Sequence, residues 1–155
     1  MDTLDRKSGP VRIAEAAFLI ISIAFILFHM YTALFGAFPG VVQKGIHLGF
    51  VLVLFFLGEI SAKETPIPLR ILFGIALVGG VLGCGYYVLV DEQLQNRLGI
   101  ITQSDIIFGI LLLVVIFIAA QRCVGNAMVI VTLAFIAYGF LGPHFPGFLA
   151  HQGLN

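Results

Sequence analysis

The sequence predicts an all-α integral membrane protein with about five spanning helices, and three observations predict it. Of 155 residues, 60% are hydrophobic and only 10% are charged. The mean hydropathy is +1.10, far above that of a soluble domain. Five apolar runs each come near the roughly 20 residues that cross about 30 Å of hydrocarbon, with flanking residues making up the difference. Eight basic and eight acidic residues cancel, so no basic field exists to gather nucleic acid, and that role is dropped.

The first helix is expected over about residues 11–35. Arg6, Lys7 and Arg12 precede it like the charged start of a secretory signal, but the run is too long for a signal core and no small-residue cleavage site follows, so it reads as a retained membrane helix. The second helix is expected over about 44–61, where Glu59 and Lys63 stand four apart, the spacing of a helical ion pair at its inner end. The third is expected over about 67–90. There Ala76, Gly80 and Cys84 recur every four residues, with Gly79 and Gly83 offset by one. Such a small-residue face lets another helix approach closely, so a partner helix is expected on it.

A polar connection from Asp91 to Ser104 leads to a fourth helix over about 104–121, which Ser104 and Asp105 are expected to cap. A fifth is expected over about 126–141. Only Gln121 to Asn126 separates the last two, so one long bent helix, giving four elements, is the alternative; the turn formers Gly125 and Asn126 favour a break. Residues 142–155 form a tail, and no soluble domain is expected.

The basic residues give an orientation. A cytoplasmic N-terminus puts Arg6, Lys7, Arg12, Lys63, Arg70 and Arg122 inside and only Lys44 and Arg97 outside. Tyr31, Tyr86, Tyr87 and Tyr138 then fall near outer helix ends, as an aromatic belt does. Five crossings leave the C-terminal tail on the outer side.

Ionisable groups inside a membrane are candidates for function. Glu15, one turn into the first helix, and Asp105 both read as structural. His29 and His47 each lie nine residues from Phe38, at similar depth on neighbouring helices. They read as an interfacial or interhelical hydrogen-bonded pair, or as axial ligands of a haem b, which would make the chain a redox anchor. In the tail, "GPHFPGFLAHQG" carries His144 and His151, seven apart. Zinc wants three or four ligands and no cysteine or carboxylate lies near them, so no metal site is expected. Phe145 and Phe148 are available to the membrane interface or to a partner. Cys84 and Cys123 fall at different depths and match no disulfide framework or metal motif. No glycine-rich phosphate loop, Gly-x-Ser-x-Gly or His-Glu-x-x-His occurs, so neither an enzyme nor an ATP-driven pump is expected. A small helical subunit of a larger membrane assembly, or the redox anchor, remains.

The stretches "KGIHLGFVLVLFFL" (Lys44 to Leu57) and "YYVLVDEQLQNRLGIITQSDIIFGILLLVVIFIAAQRCVGNAMVIVTLAFIAYGFLGPHFPGFLAHQG" (Tyr86 to Gly153) resemble the N-terminal part of the fused membrane component of TRAP transporters, the tripartite ATP-independent periplasmic carriers, in their TAXI branch. The elements that carry the likeness are His47-Leu48; Asp91 with Arg97 and Gly99; Asp105 and Gly109; Arg122 with Val124-Gly125; and Tyr138, Gly142-Pro143, Pro146-Gly147, His151 and Gly153. Together they span about two thirds of the chain.

Fused relatives continue into a long transport subunit whereas this sequence ends at Asn155, so the resemblance implies a separately encoded small Q subunit. It implies a scaffold in the cytoplasmic (inner) membrane of a bacterium or archaeon, serving ion-driven import of small organic acids. A large M permease subunit would hold the substrate and ion sites, and a periplasmic TAXI-type binding protein would deliver the substrate. This chain would then have no catalytic, substrate-binding or metal-ligating residue and no cofactor. Asp91, Arg97, His144, Phe145 and His151 are the candidate contacts with the binding protein. The small subunit of a tripartite tricarboxylate carrier is the alternative within transport.

Overall fold

Glycine and proline set several of the places where the apolar runs begin and end as helices. The computed structural model describes residues 9–97 and 99–153, the side chains of residues 9–12 and 14 excepted. Arg6 and Lys7, and the side chain of Arg12, on which half of the inner-side charge rests, lie outside the described residues. The elements are α1 (Gly9–Phe35), α2 (Gly40–Ser61), α3 (Ile67–Leu89), α4 (Asp91–Arg97), α5 (Gln103–Val124) and α6 (Asn126–Leu141), followed by two 3-10 turns, Gly142–His144 and Gly147–Leu149. Among the described residues, five segments are long and apolar enough to cross a membrane, from Glu15–Phe35 to Asn126–His144. That is the build of a multi-pass membrane protein.

Several boundaries differ from expectation for local reasons. α2 begins at Gly40 rather than near 44, because Gly36, at φ 105°, turns the chain and Pro39 sits as the N-cap with its carbonyl accepting from Gln43 N–H at 2.9 Å. α2 ends at Ser61, with Ala62 already extended. Lys63 is therefore past the end of the helix. Arg70 instead caps this end, its Nη2 donating to the carbonyls of Ala62 at 2.9 Å and Lys63 at 3.4 Å.

The connection after α3 is not wholly irregular. α4 occupies half of it, with Asp91 and Glu92 in its first turn and Arg97 in its last, the order its dipole favours. Between α5 and α6, Gly125 adopts φ 93° and ψ −179°, a conformation essentially closed to residues with a Cβ. The last two spans are separate helices, not one bent helix.

Residues Met1–Ile116 and Phe117–Asn155 form two compact units. In the first, α2 packs against both α1 and α3. Its core consists of Leu52 and Phe56 from α2, Phe73, Ala76 and Cys84 from α3, and Val115 from α5. In lipid no hydrophobic expulsion separates helix from helix, so close approach and dispersion must hold such a core, and glycine sets how close the helices come. A Cβ on Gly79 would lie 3.2 Å from Leu111 and Val115, one on Gly80 3.2 Å from Leu52, and one on Gly83 3.2 Å from Leu112.

The helices that fill the small-residue face of α3 are thus α2 and α5 of the same chain. Ala76, Gly79, Gly80, Gly83 and Cys84 are all buried there, and the face does not stand open for another subunit. Large side chains such as Ile23, Leu27, Ile71, Ile75 and Ile110 are exposed, as a lipid-facing surface requires.

In the second unit, α6 is apolar on every side and buries none of its residues. The tail beyond it folds back on its last turn.

Candidate functional site

The densest polar cluster lies where α3, α4 and α5 meet, and it is built around Asp105, a buried acid in the first turn of α5. Thr102 precedes the helix and Asp105 is its third residue, the spacing of a capping box. Thr102 N–H donates to Asp105 Oδ2 at 2.7 Å, and the Asp105 amide returns to Thr102 Oγ1 at 3.4 Å. The cap is therefore Thr102 with Asp105, where the sequence suggested Ser104 with Asp105.

The carboxylate also reaches across the fold. Tyr86 OH, from the last turn of α3, donates to Oδ1 at 2.7 Å. Arg97, at the end of α4, forms an ion pair with Oδ2 at 3.2 Å. One side chain so ties together the ends of three helices. The neighbouring Tyr87 OH donates to the Asp105 carbonyl at 3.0 Å, and the same hydroxyl lies 3.0 Å from where a Cβ on Gly109 would stand. Asp105 and Gly109 therefore form one device, the acid to gather donors and the glycine to admit a tyrosine.

Asp91 and Arg97 both take part in contacts within the chain. Asp91 is buried, with Oδ2 accepting from Gln95 Nε2 at 2.7 Å. The guanidinium of Arg97 is taken up by Asp105, and its Nε donates to the carbonyl of Gln93.

His29 and His47 do meet. Nδ1 of His47 and Nε2 of His29 are 3.0 Å apart in a direct hydrogen bond. The rings are edge to face, with Phe25 set against both. One turn nearer the hairpin, Gln43 Nε2 donates to Thr32 Oγ1 at 3.4 Å, so two polar contacts staple α1 to α2. Axial haem ligands must approach one iron from opposite faces. Two nitrogens already bonded to each other leave no slot for a macrocycle, so the pair does not fit that role.

Among the described residues, no three His, Cys, Asp or Glu side chains converge on one point. Cys84 and Cys123 are both free thiols. A recess of about 360 Å³ opens over Gly45, Gly49 and Gly85 between α1, α2 and α3, and no charged group lines it. No family model, curated protein or solved structure matches the chain.

In the tail, His144 is exposed and His151 is held. Gly142 leaves room for the His151 ring, which occupies the place a Cβ would take. Gly153 N–H donates to His151 Nδ1 at 3.0 Å, which leaves Nε2 to carry the proton and donate to the Tyr138 carbonyl at 3.1 Å. The Tyr138 ring packs on both His151 and Phe145.

Sequence reasoning missed several of these residues. Thr102 was legible as the start of a T-x-x-D capping box. Gly45 and Gly49 form a G-x-x-x-G pair on α2, where a Cβ on Gly45 would come 2.9 Å from Val88 and one on Gly49 3.5 Å from Cys84. No sequence signal marks Tyr86 and Tyr87 as partners of Asp105, because their meeting depends on how α3 and α5 pack.

Proposed function

We propose that this chain is the fixed, small scaffold subunit of an ion-gradient-driven tripartite importer of the TAXI type, set in a cytoplasmic membrane. It works with a large permease subunit that carries substrate and ion, and with a periplasmic binding protein that delivers small organic acids. The observation that carries the reading is the state of Asp105. Both of its carboxylate oxygens are engaged by donors of the same chain, from Tyr86, Arg97 and Thr102. A coupling-ion or substrate site inside a membrane needs acceptors turned toward a cavity, whereas the recess on α2 is lined without charge.

Other polar contacts join elements to one another: His29 to His47, and Arg70 to the end of α2. That is how a wall is built, with tight faces within and apolar faces outward. The motifs on which the resemblance rests also acquire physical roles consistent with a rigid support. Asp105 and Gly109 clamp α3 to α5, and Gly125 breaks α5 from α6.

The test is uptake in cells that make the large permease and the binding protein, with and without this chain. Uptake is expected to be lost when this chain alone is deleted while the permease is still produced. Full uptake by the other two components would overturn the reading.

A further inference from the structure

The geometry points to a lipid-contacting function for the tail: residues 145–149 form a short re-entrant anchor that rests in the membrane interface, with Phe148 inserted among the lipids. Three observations meet here. Phe148 is 95% exposed, a large aromatic surface left without any protein contact of note. The segment from Gly142 to Gly153 contains no Asp, Glu, Lys or Arg, so nothing in it demands water as a charged loop would.

The third observation fixes the depth. The tail does not run on from α6 but is drawn back along it. Tyr138, one turn inside the helix end, donates its hydroxyl to the carbonyl of Leu149 at 2.8 Å. His151 returns from the far side of the turn to the Tyr138 carbonyl. Pro146 and Gly147 lie in the loop that these two attachments close onto Tyr138, with Gly147 at φ 62° supplying the reversal.

A tyrosine near the end of a spanning helix sits at headgroup level, its hydroxyl toward water and its ring toward the chains. A carbonyl bonded to that hydroxyl is at the same level. Phe148, the next residue, then faces the medium found there, which is the boundary between headgroups and acyl chains. The occupant of this surface is therefore lipid, because the clamp holds the aromatic beside the membrane end of α6. This inference rests on α6 crossing the membrane and not on the transport reading.

The sequence has no tryptophan, so Phe148→Trp in the full chain introduces the sole indole, at a position exposed enough to accept it without repacking. Reconstituted in phosphatidylcholine vesicles, this variant should show blue-shifted emission that brominated phosphatidylcholine quenches several-fold more than iodide present on both sides of the bilayer. Emission at the wavelength of solvated indole, quenched by iodide and not by bromolipid, would overturn the proposal. So would emission that neither quencher reaches, which would mean that a second copy or another protein covers the residue. Adding Tyr138→Phe removes the bond to Leu149, and bromolipid quenching should then fall while helicity is unchanged. Unaltered quenching in the double variant would refute the clamp as the device that sets the depth.

Discussion

At the scale of the residue, Asp105 does more than any other side chain. It closes the capping box of α5 with Thr102 and takes up Arg97 from α4 and Tyr86 from α3. Removing the carboxylate strands several donors at once, whereas removing one donor leaves the others in place, so the losses must be unequal. Asp105→Ala is expected to lower the thermal unfolding midpoint in detergent clearly more than Tyr86→Phe or Tyr87→Phe. Equal midpoints for the three variants would contradict a cluster centred on the acid. Gly109 belongs to the same device, because its missing Cβ is what admits the Tyr87 hydroxyl.

At the scale of the element, the small residues of α3 divide into two classes that sequence alone does not separate. A Cβ on Gly83 would stand 3.2 Å from Leu112 of α5, while one on Gly85 would meet nothing within 4 Å. Gly83→Ile should destabilise the fold by about 1–3 kcal/mol through overpacking, read as a lower midpoint in a denaturant titration in detergent. Gly85→Ala should be near neutral. A neutral Gly83→Ile would mean that α3 and α5 do not pack as described.

The five apolar spans were legible because each is a run bounded by glycine, proline or charge, and hydropathy needs no tertiary information. The small-residue face on α3 was legible too, but not what fills it, since α2 and α5 present ordinary Leu and Val there. The start of α2 and the existence of α4 were misread for a related reason. Pro39 presets a helix that then carries Gly40, Gln43 and Lys44, and α4 is a seven-residue helix of polar composition that no apolar pattern announces. The His29–His47 meeting followed from their symmetry about the hairpin. Whether the two rings would bond to each other or flank a third group was decided only by how closely α1 approaches α2.

At the scale of the whole molecule, the proposed role is that of a wall that holds still while a partner moves. Its first unit ties α1 to α2 through the histidines, α2 to α3 through G-x-x-x-G, and α3 to α5 through glycine contacts and the Asp105 cluster. A static part can be locked without loss of function, whereas a moving part cannot. The geometry supplies the lock: a Cβ at position 49 would stand 3.5 Å from the Cβ of Cys84, within the roughly 3.5–4.5 Å that a disulfide spans. Gly49→Cys, combined with Cys123→Ser so that only one thiol pair remains, joins α2 to α3 on oxidation. The direct measurement is the rate of substrate uptake by this variant with the proposed permease and binding protein, oxidised against reduced, with cross-linking followed by mobility on a gel. A fixed scaffold predicts the same rate in both states; reversible loss of uptake on oxidation would show that α2 and α3 move during transport and contradict the account.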